Sequence, residues 1–152
     1  MRLILVHPQI PQNAGNVVRL CAATGASLTL VRPLGFAVTD RRLKRAGLDY
    51  WLGVDVEIVD QLEPLLEEST TPFYFFSSRA TRCYSQVQYA ADSWLIFGSE
   101  TDGLPREWLT KWPERLVTIP MRQGCRCLNL ANSCAIALYE AERQQQFASL
   151  SC

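Results

Sequence analysis

Leu116 to Tyr139 reads LVTIPMRQGCRCLNLANSCAIALY, and three kinds of segment follow one another within it. Leu116-Val117-Thr118-Ile119 is a short apolar run of β type that stops at Pro120. Met121 to Cys127 is a polar, basic turn with Gly124 inside it. From Asn129 onward, Ala131, Cys134, Ala135, Ile136, Ala137, Leu138 and Ala141 predict a helix with little bulk on any side. Such a helix lies buried between other elements or against a second subunit. Asn129 and Asn132 stand at its start, where free backbone N–H groups cluster. A strand end, a basic loop and a polar helix start therefore converge on one point. Two readings fit this: an ordinary strand–turn–helix connection with an Asn cap, and a ligand site, because α/β proteins bind ligands where strand ends face helix starts.

Outward from this stretch, strands and helices alternate. Apolar runs predict strands over Arg2–His7, Leu28–Val31, Val54–Val59, Phe73–Ser77 and Trp94–Phe97, the last apolar throughout and hence central. Pro11 opens a helix that Gly25 ends, Asp40 caps a short basic helix over Arg41–Ala46, an acidic helix covers Asp60–Glu68, and Pro105 starts another to Lys111. Thr81–Ala91 reads as loop, and the tail from Gln144 to Cys152 as frayed. The expectation is one α/β domain over residues 1–152, with a mostly parallel six-stranded sheet flanked by helices.

Composition narrows the function classes. The chain has 152 residues, 48% hydrophobic and 20% charged, enough to bury a core of its own. No apolar run approaches the ~20 residues of a membrane span, and the N-terminus reads as a strand rather than an export signal. Six cysteines without a CxxC pair, together with a single histidine, His7, offer little to a metal. The expectation is reduced thiols in the cytoplasm and no metal. Zero net charge argues against a wholesale nucleic-acid coat. The arginines nonetheless cluster: Arg41, Arg42 and Arg45; Arg79 and Arg82; Arg122 and Arg126. A solvated face accounts for most such clusters, and least well for Arg122 and Arg126 in the converging loop.

Three loops share small and polar residues: Asn13-Ala14-Gly15-Asn16 with Arg19 one turn on, Gly98 to Pro105, and the opening loop. In a parallel sheet all three fall on the carboxyl edge, where glycines let a ligand approach the backbone. The chain lacks GxGxxG and GxxxxGK[ST], which disfavours a nucleotide-binding oxidoreductase. His7 before Pro8 fits a structural histidine better than a hydrolase base. Asp102 reads as a turn former, and Glu100 as the more interesting carboxylate.

NxGNxxR at Asn13–Arg19, FGSETDGLP at Phe97–Pro105 and IPM(x)4RCLNLANS at Ile119–Ser133 resemble the three motifs of the SPOUT RNA methyltransferases. FAVTDRRLKRAGLDYW at Phe36–Trp51 is similar to a further segment of the small tRNA (cytidine/uridine-2'-O-)-methyltransferases that act on wobble position 34, which likewise lack an extra RNA-binding domain. The resemblance implies an α/β-knot fold with a C-terminal trefoil knot. It also implies S-adenosylmethionine as methyl donor, S-adenosylhomocysteine as product, and methylation of the ribose 2'-OH of cytidine or a modified uridine, in leucine tRNAs. Cofactor contacts carry over to Phe76, Gly98, Ile119 and Cys127, with Glu100, Gly103, Met121, Leu128 and Asn129 in the same loops. Cys127 departs from the family's usual serine, and a thiol is the poorer hydrogen-bond partner.

Arg19 takes the catalytic role by resemblance. A guanidinium holds its proton too tightly to be a plain base, so charge stabilisation or a phosphate clamp is the preferred role, with a surface salt bridge as the plainer alternative. Expected RNA contacts are Asn13, Arg41, Arg42, Arg45, Arg122, Arg126 and Tyr139, the last equally readable as a dimer-interface aromatic. The partners implied are the tRNA anticodon stem-loop and a second copy of the chain, with the active site at the interface. A non-catalytic RNA-binding dimer of the same fold is the alternative function.

Overall fold

The computed structural model describes residues 1–37, 53–148, 150 and 151. Six parallel strands, β1 (Arg2–Val6), β2 (Ser27–Val31), β3 (Val56–Val59), β4 (Phe73–Phe76), β5 (Trp94–Phe97) and β6 (Leu116–Val117), form one sheet in the order β3-β2-β1-β5-β4-β6. The expected α/β class and the central place of β5 hold. Among the described residues, four helices flank the sheet: α1 (Pro11–Thr24), α2 (Glu63–Glu68), α3 (Arg106–Lys111) and α4 (Leu130–Gln144).

Alternation within the strands builds two cores. Leu3 and Leu5 of β1 join Leu28, Leu30, Leu95 and Phe97 under α1 and α4. Ile4 and Val6 point the other way and join Phe73, Phe75 and Ile96 against Leu66 of α2 and Trp108 of α3. Both faces are covered, which is why the strands read as continuous apolar runs. The first layer uses small groups, with Val17, Val18 and Cys21 of α1 facing Cys134, Ala137 and Ala141 of α4. The second is aromatic, the Phe75 ring lying 5.8 Å from both Trp108 and Trp112.

Some element bounds differ from expectation for local reasons. The acidic helix begins at Glu63 rather than Asp60, because Pro64 is tolerated only in a first turn and would clash with the carbonyl of residue 60. Strand β6 ends at Val117 rather than Ile119. Thr118 N–H donates to Arg82 O (2.9 Å) and Thr118 O accepts from Tyr84 N–H (2.9 Å), so the edge turns to the 82–84 segment, within the stretch that reads as loop. Helix α4 buries only one face. On the other, Ile136 and Tyr139 remain 37% and 45% exposed. The basic helix expected at Arg41–Ala46, with Arg41, Arg42 and Arg45, lies outside the described residues.

Candidate active site

One carboxylate organises the carboxyl edge of the sheet. Helix α1 starts without a side-chain cap of its own, which leaves N–H groups near its first turn in need of acceptors. Glu100, from the loop after β5, supplies them. Its Oε2 accepts from Gln9 N–H (2.8 Å), and its Oε1 accepts from Ile10 N–H (3.2 Å) and Asn13 Nδ2 (2.8 Å). Negative charge at this position is also favoured by the helix dipole. Asn13, itself buried, accepts at Oδ1 from Asn129 Nδ2 (2.9 Å). Asn129 Oδ1 then caps α4 by accepting from Ala131 N–H (2.9 Å) and Asn132 N–H (3.3 Å). The chain Glu100–Asn13–Asn129 thus locks together the three loops that the sequence had singled out. Through these bonds Glu100 is a structural anchor of the site.

The loop after β5 folds back on itself. Ser99 and Gly103 exchange two backbone hydrogen bonds of 3.1 Å, and Gly103 takes φ +73°, where glycine is favoured. A Cβ on Gly98 would lie 2.0 Å from Gly103 C and 2.3 Å from Leu104 N. The glycine at 98 is therefore required by the loop's own backbone.

The loops enclose a groove of about 700 Å³. All nine residues assigned to the cofactor by resemblance (Phe76, Gly98, Glu100, Gly103, Ile119, Met121, Cys127, Leu128 and Asn129) line it, as do Asn13 and Arg126. Arg19, Arg122 and Tyr139 do not border it. Arg19 lies on the exposed side of α1. Sequence reasoning passed over Ser77, Ser78 and Arg79, which line the groove after β4. The cofactor contact carried over to Phe76 and the arginine cluster with Arg82 were the signals that pointed to that loop.

The groove suits an adenosine-bearing sulfonium in size and lining. Phe76 and Phe97 stack at 4.6 Å beneath it, and Leu104, Leu109, Ile119 and Leu130 give apolar walls for a purine. Ser77, Ser78 and Thr118 offer hydroxyls for ribose and amino-acid groups. Cys127 Sγ reaches Ser78 Oγ at 3.5 Å, so the thiol keeps the link between the β6 and β4 loops that a serine could make. Among the described residues, no group of His, Cys, Asp and Glu is placed to hold a metal ion.

The SpoU rRNA methylase family matches residues 1–139. The chain belongs to that family. A relative from Geobacillus stearothermophilus is 43% identical over 155 residues, covering 99% of both chains. Another, from Burkholderia cenocepacia and named tRNA (cytidine(34)-2'-O)-methyltransferase, is 41% identical, covering 95% of this chain and 96% of its own. Among solved structures, one described as giving insight into 2-OH methylation of C/U34 on tRNA aligns at TM-score 0.90 and 42% identity over 96% of both chains. The family fold also extends to AviRb of Streptomyces viridochromogenes, solved with AdoMet, at TM-score 0.84 and 22% identity, covering 98% of this chain and 58% of that one.

Proposed function

We propose that this SpoU-family chain methylates the ribose 2'-OH of the wobble nucleotide, position 34, of tRNA, with S-adenosylmethionine as donor. The observation that carries this reading is the Glu100–Asn13–Asn129 lock, which assembles a groove from the family's three motifs. The close relatives named for that activity support it. Bound there, the sulfonium would supply an already electrophilic methyl carbon. The protein's task is placement: apolar walls exclude water, and the loops hold the ribose oxygen in line with the methyl at about 3–3.5 Å.

The reading takes over a homodimer, the family's trefoil knot and a cytoplasmic setting. Arg19 is exposed and does not line the groove of its own chain; in the proposed homodimer a second copy would bring its Arg19 there. The exposed Ile136 and Tyr139 on α4 support such pairing. There the guanidinium holds the target phosphate or steadies the oxygen as its proton leaves.

Bulk tRNA methylated with labelled cofactor, then mapped, should carry 2'-O-methyl at position 34, and the labelled species should include leucine tRNAs. Arg19→Ala should lower kcat by about 10²–10³-fold and leave S-adenosylhomocysteine affinity unchanged. Label at any other position, or a sedimentation monomer at micromolar concentration, would refute the corresponding part.

A further inference from the structure

Charge is segregated along the carboxyl edge of the sheet. The acidic lining residues, Glu100 and Asp102, belong to the β5 loop. Glu100 accepts from three donors, and Asp102 accepts from the Thr101 hydroxyl (2.8 Å). The basic lining residues, Arg79 and Arg126, sit in the loops after β4 and β6, the pair of strands at the sheet's edge. Arg2, Arg32, Arg115 and Arg143 all reach carboxylates. The guanidiniums of Arg79 and Arg126 make no hydrogen bond or ion pair with any described residue, and both residues are exposed.

Their placement is fixed from below. Arg79 directly follows Ser78, and Arg126 directly precedes Cys127, the two residues joined by the 3.5 Å thiol–hydroxyl contact. The bonds between Thr118 and Arg82 and between Tyr84 and Thr118 tie the same two loops beneath them. Two cations without a partner among the described residues therefore flank one contact between the two loops and line the same groove. Like charges so placed repel unless an anion lies between them. Guanidiniums suit phosphate oxygens, which they bind through paired N–H donors.

We infer that Arg79 and Arg126 are a two-pronged positioning site for backbone phosphates of the tRNA beside the target ribose. The inference rests on the proposed tRNA reading. An exposed rim fits a polyanion that stays outside the groove. The carboxylate of the cofactor's amino-acid end is the competing anion, and the test separates the two.

Arg79→Gln, Arg126→Gln, the double variant and Arg79→Lys are compared with Arg115→Gln, a charge loss at the amino end of β6. Arg79→Gln and Arg126→Gln should each raise the tRNA KM about five-fold with kcat unchanged, and Arg115→Gln should leave KM at the wild-type value. The slope of log Kobs for tRNA against log salt should shrink by about 0.7–0.9 per arginine removed. Arg79→Lys should restore the slope, and Arg115→Gln should leave it alone. Affinity for S-adenosylhomocysteine, measured by calorimetry, should stay at the wild-type value throughout. An unchanged salt slope overturns the inference. So does a loss of S-adenosylhomocysteine affinity with the tRNA KM intact, which would assign the arginines to the cofactor carboxylate. If the wild type binds tRNA with this arginine-dependent slope but transfers no methyl, the functional proposal fails and the phosphate site stands.

Discussion

Two cavities of similar size lie at opposite ends of the sheet. The carboxyl-edge groove, about 700 Å³, is walled by three loops that Glu100, Asn13 and Asn129 tie together. The amino-edge cavity, about 510 Å³, lies between Met1, the end of α1 and the tail, lined largely by Ala22, Ala23, Gly25, Ala26, Ala91 and Ala148. Volume does not tell them apart. The first is crossed by hydrogen bonds between residues 87 and 116 positions apart, and its rim holds arginines that no described carboxylate meets. The second is mostly the space that small side chains leave at a helix end. Convergent, mutually fixed polar groups mark a site better than emptiness does.

The sharpest contrast should come from enlarging one small residue at each end. Gly98→Ala drives a Cβ into the backbone of Gly103 and Leu104. It should cost about 3 kcal/mol, seen as a fall in Tm of about 6–12 °C, and abolish S-adenosylhomocysteine binding in calorimetry. Ala148→Leu in the amino-edge cavity should leave both unchanged; a loss of methyl transfer there would break the comparison. Next in size, Glu100→Gln offers an amide donor where only acceptors fit. It should cost about 2 kcal/mol in urea unfolding and reduce cofactor affinity.

Thiol chemistry sharpens the comparison less drastically. Burial pushes the Cys21 thiol up to about 12 and raises that of Cys134, with the nearby N-terminus offsetting part of the effect on Cys21. Cys125 and Cys127 are exposed. At pH 8, mass spectrometry after iodoacetamide should find label on Cys125 and Cys127 and little on Cys21 or Cys134. S-adenosylhomocysteine should slow labelling of Cys127 several-fold. The smallest effect lies on α4. The Arg143 guanidinium, helped by the Gln144 amide, holds the Glu140 carboxyl below its usual range against a desolvation penalty. A depressed carboxylate stabilises the fold above its unfolded value and loses that contribution as pH falls through the folded one. The urea midpoint of wild type should therefore fall slightly more than that of Glu140→Gln as pH drops below about 4.5.

The strands were legible because a sheet covered on both faces writes them as apolar runs, and α1 because Pro11 and Gly25 mark its ends. The nine groove residues came from motif resemblance, and the sheet order brings their loops to one edge. The part played by Glu100 was not legible: two of its three donors are backbone N–H groups of Gln9 and Ile10, about ninety residues away, and backbone groups carry no sequence signature. Likewise Gly98 looked like an opening for a ligand, because the carbonyl that fills its missing side chain belongs to a loop whose fold-back cannot be read residue by residue. Arg79 was visible as a charge but not as a wall of the groove, since its loop gains its place through contacts with Val117, Thr118 and Cys127, far along the chain.

The bond from Asn129 to Asn13 joins the last helix to the first. During synthesis, the pocket for the methyl donor would stay unfinished until Asn129 and the helix it caps have left the ribosome and docked on the first helix. A product truncated before residue 129 would therefore be blind to the cofactor, and such ligands report on completed molecules alone.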